Sequence, residues 1–461
     1  MNIVWIVADS LRQDGLGCYG NLKMHTPNLD RFAQKAVRFD KHYIGSFPTM
    51  PTRADHFTGR ATFTYLQWEP LFPGEVTLAQ LLSRQGYHTA AMVDTPFYQR
   101  TDMNYDRGFQ TFVNILGQHA KGPGYPHHEA FDVRAAWRCE ADRCAPQTIT
   151  AAERWLEEHH KESFFLYVDT WDPHEPWDAP SYYTELYYSG YDGEVINPPY
   201  AYWQEIPWLT EEKVRKAYAT YCGEITMVDR WVGHLLSKLE VMGLMENTCV
   251  IFTSDHGFCF GEHGGLFGKG LGTRREDGSA IPVSELGDKR EGWRRSPLWE
   301  EITHIPLLVY APGVEPGTAS SLTSAVDLMP TVLDLAGVSA PESVQGKSLE
   351  PLLRGNASAW PEFVVSSAPL SNVGDLVRQI DGFARPVLEP VVSTITTAEW
   401  SLMYSIAGAR TELYNLVEDP AQLHNVIATN GEVAARLHQM YVSVLKERGV
   451  RKELLEPRLS L

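Results

Sequence analysis

A chain of 461 residues with 43% apolar and 21% charged residues has the composition of an ordinary globular enzyme, which excludes the disordered and fibrous classes. Its 58 acidic and 40 basic residues give a net charge of −18, a field that repels phosphate backbones and anionic lipid. Neither a nucleic acid polymer nor a membrane surface is an expected partner. The first apolar run, Ile3-Val4-Trp5-Ile6-Val7-Ala8, is too short for a signal-peptide core or a membrane span and predicts a buried strand over 2–8. Six scattered cysteines (Cys18, Cys139, Cys144, Cys222, Cys249, Cys259) fit a reduced, cytoplasmic protein. Cys139 and Cys144 are read as plain thiols, because no second cysteine or histidine pair stands near enough to complete a zinc site.

Further along, strand patterns at 88–93, 164–169, 249–254 and 306–310 alternate with helical patterns at 76–86, 148–160 and 211–242. That alternation predicts an α/β fold with a large, mainly parallel sheet between helices. Segment 326–337 reads as a helix closed by Gly337. After Leu353 the pattern changes to a linker, Arg354-Gly355-Asn356-Ala357-Ser358, then short β runs at 363–366 and 400–404 and an amphipathic helix at 431–448. The expected organisation is a catalytic domain over 1–355 with a smaller C-terminal α+β subdomain, 356–461, packed on it. Two long stretches lack regular pattern. Residues 177–210 are dense in tyrosine, tryptophan and proline and have the length of a lid or a binding element. Residues 271–297 carry six cationic and five acidic side chains, against the acidic balance elsewhere, and read either as a solvated loop or as a cap that selects an anionic substrate.

The chemistry concentrates at strand ends. Asp9 follows the strand at 2–8, and Asp255-His256 follow the run Cys249-Val250-Ile251-Phe252-Thr253-Ser254. In open α/β sheets, ligands collect in the crevice beyond the carboxyl ends of the strands, so two carboxylates and an imidazole arriving there predict a divalent-metal site. Asp14, Asp169 and Asp172 are weaker candidates for a second ion. In Thr49-Met50-Pro51-Thr52-Arg53, Pro51 suits a first helical turn, which sets Thr49 at a helix N-terminus with Arg53 one turn on. A hydroxyl beside free backbone N–H groups and a guanidinium suits attack on a phosphate-like or sulfate-like centre. A helix cap is the ordinary role of such a threonine.

Seven segments in order carry a resemblance: Asp9-Ser10-Leu11-Arg12-Gln13-Asp14 with Cys18-Tyr19-Gly20; Thr49 to Arg60; Asp172-Pro173-His174-Glu175-Pro176; Ser254-Asp255-His256-Gly257 with Gly261-Glu262-His263-Gly264; Phe267-Gly268-Lys269-Gly270; Trp299-Glu300-Glu301; and Glu412-Leu413-Tyr414-Asn415-Leu416 with Asp419-Pro420. Together the chain resembles the sulfatase family of the alkaline phosphatase superfamily. The resemblance implies that fold and an ester hydrolase holding one divalent ion through Asp9, Thr49, Asp255 and His256. Thr49, Arg53, His174, His263 and Lys269 would be catalytic, with Arg53, His174, Lys269 and His304 on the substrate. Three departures redirect it. Thr49 occupies the place of the family's cysteine and cannot become formylglycine, so its hydroxyl must act directly, as in the superfamily's phosphodiesterases. Ser10 replaces an acid found in many sulfatases, a change shared with phosphonate monoester hydrolases, which favours Mn²⁺ or Zn²⁺ while leaving Ca²⁺ and Mg²⁺ open. Val93-Asp94-Thr95-Pro96 lacks the usual lysine and histidine sulfate anchors. The expected substrate is a small phosphate or phosphonate mono- or diester. The alternatives are a sulfuric ester hydrolase and an inactive anion-binding protein. A homo-oligomer is left open.

Overall fold

The computed structural model describes residues 1–95, 103–116, 137–270, 296–357, 360–370, 391–406 and 411–461, and the backbone of a ribbon formed by Leu376–Arg378 and Ala384–Pro386. Its centre is an eight-stranded sheet made of β1 (Asn2–Ala8), β2 (Val37–Phe39), β3 (His88–Val93), β4 (Thr111–Asn114), β5 (Phe164–Thr170), β6 (Thr248–Ser254), β7 (Leu307–Tyr310) and β8 (Gly317–Ala319). Across the sheet the order is β8-β2-β7-β6-β1-β5-β3-β4. The pairings are parallel except for the two made by β7, which runs against both β6 and β2.

Helices cover both faces. They are α1 (Pro27–Ala33), α2 (Thr49–Thr58), α3 (Leu78–Arg84), α4 (Cys144–His159), α5 (Glu211–Val241) and α6 (Leu328–Leu335); α7 (Gly431–Glu447) belongs to the C-terminal part. The period-two alternation of β1 decides which residue meets which layer. Val4, Ile6 and Ala8 join the core that includes Trp155 of α4 and Ile225 of α5, whereas Ile3, Trp5 and Val7 join the core that includes Phe57 of α2, Leu82 of α3 and Val332 of α6. A strand buried on both faces draws on apolar residues at successive positions, which is why β1, β5 and β6 hold the continuous runs Ile3–Ala8, Phe164–Val168 and Cys249–Phe252. The 31-residue α5 starts at Thr210, whose side chain accepts from Lys213 N. Midway, its Asp229 accepts from the backbone N–H groups of Asn28 and Leu29 and so caps α1.

Beyond Trp360, the strands Phe363–Ser367, Ser393–Thr397, Trp400–Tyr404 and Glu412–Asn415 form an antiparallel sheet with a separate core against α7. It is fastened to the larger part by backbone bonds from Phe47 N to Ser367 O and from Ser367 N to Gly45 O. All six cysteines are free. Among the described residues, no helix is long and apolar enough to cross a membrane. The segment expected to cap the pocket lies, over 271–295, outside the described residues.

One core residue has a measurable consequence. His56 of α2 is fully buried against Trp5, with ring centroids 5.1 Å apart, and among the described residues neither ring nitrogen has a hydrogen-bond partner. Burial, helped by the Arg53 charge, holds its pKa down at about 3. The unfolded ring titrates near 6.5, so between those values the unfolded state binds the extra proton. This contribution to stability is therefore whole above about pH 6.5 and is lost as the pH falls toward 3, at up to about 1.4 kcal/mol per unit. His56→Leu removes both unsatisfied nitrogens and is expected to stabilise the fold by about 1 kcal/mol at pH 7.5 and by more at pH 5. Urea unfolding at the two pH values measures it, and a leucine variant weaker than the parent at both would show that the ring has partners.

Candidate active site

Thr49 is the first residue of α2, and Arg53 stands one turn later on the same face. Asp55 locks this helix in place. Its buried carboxylate accepts from Ser46 N, Ser46 Oγ, Thr62 N and Thr62 Oγ1 at 2.6–2.8 Å, joining the chain before the helix to the chain after it.

β1 and β6 are neighbours in register, Ala8 opposite Ser254, so Asp9 and Asp255 leave the sheet side by side. Ser10 bridges them: its N–H donates to Asp255 Oδ1 at 2.9 Å and its hydroxyl donates to Asp9 Oδ1 at 2.8 Å. To do so it adopts φ 59, the left-handed region that a non-glycine residue enters at a cost of order 1 kcal/mol. Gly257 follows the pair because a Cβ there would lie 2.0 Å from the Glu301 carbonyl oxygen. One ligand atom from each of Asp9, Asp255 and His256 lies within 4.8 Å of the others, and all three residues are fully buried.

The Arg53 guanidinium supplies the countercharge. Its Nε and Nη2 donate to the two Asp169 oxygens, both at 2.7 Å; Nη1 donates to Asp255 Oδ2 at 2.5 Å; and Nη2 stands 3.0 Å from Asp9 Oδ2. Burial, then the Asp255 charge, pushes the Asp9 carboxyl well above its ordinary range. Burial opposes ionisation of Asp255 as well, but His256, Arg53 and Lys269 outweigh it and hold that pKa below the usual value. Among the described residues, the neighbour of Asp9 Oδ2 is this Arg53 ion pair at 3.0 Å. Two carboxylates and an imidazole, desolvated and converging, are the donor set that a divalent cation needs, and the residues fit one.

The imidazoles are oriented by backbone carbonyls. His256 Nδ1 lies 3.0 Å from Gly257 O, which only accepts, so the ring proton is on Nδ1 and the Nε2 lone pair points inward. Burial lowers its pKa to about 3, and the ring is neutral. Thr49 Oγ1 donates to that Nε2 at 3.1 Å. His174 repeats the arrangement: Nδ1 meets Glu175 O at 2.7 Å, Nε2 accepts from Lys269 Nζ at 2.8 Å, and the ring stacks on Trp171 with centroids 3.8 Å apart. Lys269 Nζ also reaches His256 Nε2 at 3.4 Å. Thr49, His256, Lys269 and His174 thus form one connected line beside the carboxylates.

The irregular stretch at 177–210 buttresses that wall. Its strand Ala201–Tyr202 pairs with Leu266–Gly268, the strand that leads into Lys269, and the Tyr200 hydroxyl donates to Glu175. Two expected site residues have other partners. His263 bonds Glu301 Oε2 at 2.8 Å and stacks on Trp299; His304 contacts Gln13, Asp40 and Glu300 and stacks on Tyr43. Among the described residues, neither makes a hydrogen bond or ring contact with the Thr49 line. Asp14 is paired with Arg12. Asp94 accepts from Trp171 N and Thr148 Oγ1, so it supports the segment carrying His174. The residue that pattern reading misjudged is Asp169, considered only as a metal ligand and found gripping Arg53. An acid at the end of a buried strand, with one buried arginine to satisfy, was the available signal.

The family model for sulfatases matches residues 1–338. The chain belongs to the sulfatase family. That places it among the ester hydrolases of the alkaline phosphatase superfamily. It is similar to an arylsulfatase of Clostridium perfringens, 24% identical and covering 98% of this chain and 95% of the relative. Solved structures with the same fold include a phosphonate monoester hydrolase of Agrobacterium radiobacter, with TM-score 0.72, 21% identity and coverage of 97% of this chain and 95% of that one. Another is a phosphonate monoester hydrolase of Silicibacter pomeroyi, with TM-score 0.73, 22% identity and coverage of 98% and 96%. Family membership therefore fixes ester hydrolysis and leaves the central atom of the ester to the chemistry of the site.

Proposed function

We propose that the protein is a metal-dependent hydrolase of phosphate or phosphonate esters that uses Thr49 as its nucleophile. The observation that carries this reading is the Thr49 hydroxyl at a helix N-terminus, 3.1 Å from the lone pair of a neutral imidazole and beside the Asp9–Asp255 pair. Asp9, Asp255, His256 and Thr49 would hold the ion, whose charge would favour the alkoxide form of Thr49 and offset charge on the ester oxygens. The mixed imidazole and carboxylate donor set favours Mn²⁺ or Zn²⁺.

Thr49, whose hydroxyl proton would pass to solvent once the ion held its oxygen, attacks phosphorus through Oγ in line with the leaving oxygen, and the bond to that oxygen breaks. Lys269, backed by the His174 lone pair, is positioned to protonate the departing alkoxide and to bind an ester oxygen. His174 acts through Lys269, because its own ring proton is engaged by the Glu175 carbonyl. Arg53, fixed by Asp169, holds positive charge at the foot of the nucleophile. Water then attacks the phosphothreonine at phosphorus and regenerates the hydroxyl. A threonine ester of sulfate lacks the exit that a formylglycine hydrate provides, and this turns the reading toward phosphorus despite the arylsulfatase likeness.

The test is a parallel assay of aryl phosphate, phosphodiester, phosphonate and sulfate esters with Mn²⁺, Zn²⁺, Mg²⁺ and Ca²⁺. The expected result is faster cleavage of a phosphorus ester than of the sulfate. Faster sulfate cleavage reverses the assignment, and no turnover with retained phosphate binding makes the chain an anion-binding protein.

A further inference from the structure

At the end of the sheet opposite the crevice stand three side chains that the proposed reaction does not use. His88 opens β3, His159 closes α4, and Glu162 lies in the turn that leads into β5. β3 has six residues and ends next to Asp94, so about 20 Å of strand separates this place from the catalytic crevice.

The Glu162 carboxylate spans the two rings. Oε2 lies 2.8 Å from His88 Nδ1 and Oε1 lies 2.9 Å from His159 Nδ1. One ligand atom from each of the three residues lies within 4.8 Å of the others. Trp155, 5% exposed, stacks on His159 at 4.7 Å and 28° and meets His88 edge-on at 5.3 Å and 88°, so both rings are held from beneath. The side chains are 20%, 24% and 50% exposed, which leaves solvent access for an ion.

We infer that His88, His159 and Glu162 form a surface site for a divalent transition ion of the zinc class. Two imidazoles with one carboxylate suit Zn²⁺, Ni²⁺ or Cu²⁺ rather than Ca²⁺ or Mg²⁺. Zinc bonds of about 2.0–2.2 Å set neighbouring ligand atoms about 3.3 Å apart in a tetrahedron. The two Glu162–imidazole contacts, at 2.8 and 2.9 Å, open to that by a few tenths of an ångström, a movement that these partly exposed side chains allow. Water would complete the shell. A bound ion ties the last residue of α4 to the first residue of β3, and because it binds the folded chain alone it stabilises by mass action.

The measurement is equilibrium dialysis of the full chain against micromolar Zn²⁺, followed by elemental analysis and thermal unfolding, for the parent, His159→Ala and Glu162→Gln. Circular dichroism establishes that each variant is folded; the half-exposed Glu162 provides the milder change. The parent is expected to hold one more zinc per chain than either variant, and its midpoint is expected to rise with zinc by several degrees more than theirs. Equal zinc content in parent and folded variants, or an equal zinc-induced shift, overturns the site.

Discussion

Thr49→Ala is expected to lower kcat/KM for a phosphorus ester by about 10³ or more, the scale seen when a catalytic nucleophile is removed. The substitution is structurally mild. Thr49 is 1% exposed, but its carbonyl, which accepts from Arg53 Nη1, stays in place, and the methyl group of alanine suits the first turn of α2. What is lost is the hydroxyl 3.1 Å from His256 Nε2. Because the carboxylates, Arg53 and Lys269 remain, binding should survive: KM changes little while kcat carries the fall. Thr49→Ser keeps a hydroxyl at the same point and is expected to recover most of the rate. Steady-state kinetics of the two variants decides between roles. If the alanine variant retains parental kcat, water is the direct nucleophile and the Thr49 hydroxyl serves only as a partner of His256.

The fold was readable where the chain is buried on both sides. β1, β5 and β6 hold the apolar runs Ile3–Ala8, Phe164–Val168 and Cys249–Phe252, which burial on both faces calls for. β2 and β8 have three residues each, too short for a period to register. The reversed direction of β7 was equally hidden, because Leu307–Tyr310 has the same apolar texture whichever way it runs. Convergence of Asp9 with Asp255-His256 was readable because both sites directly follow buried strands. What pattern could not supply were partners chosen by three-dimensional proximity: Asp169 for Arg53, Glu175 O for His174, and the bridge made by Ser10. Ser10 appeared in the sequence as a missing acid, whereas its backbone and hydroxyl both donate to the carboxylates on either side. The partners of His263 and His304 were equally hidden. A histidine beside glycine or before a strand resembles a pocket residue, and here each ring stacks on an aromatic neighbour and meets a glutamate.

Asp255→Asn is expected to remove the divalent ion from the crevice and with it nearly all hydrolysis. Asparagine is the informative replacement because Asp255 Oδ1 accepts from Ser10 N at 2.9 Å and from His256 N at 2.8 Å, and an amide oxygen can continue to do both. The second oxygen is the one that matters. Oδ2 faces Arg53 Nη1 at 2.5 Å and belongs to the Asp9–Asp255–His256 group; an amide nitrogen there offers no lone pair to a cation and turns donor against donor. The charge of Arg53 then keeps Asp169 and Asp9 but loses Asp255, so a loss of about 3 kcal/mol in stability accompanies the loss of metal. Elemental analysis of the parent is expected to find about one crevice ion per chain, absent from the variant, with kcat down by at least the factor lost in Thr49→Ala. Both readouts are needed, since unfolding alone would also abolish activity, and circular dichroism separates the two. A folded asparagine variant that keeps both its ion and its turnover would mean that the cation does not sit between these carboxylates, and the assignment of Thr49 beside them would fall with it.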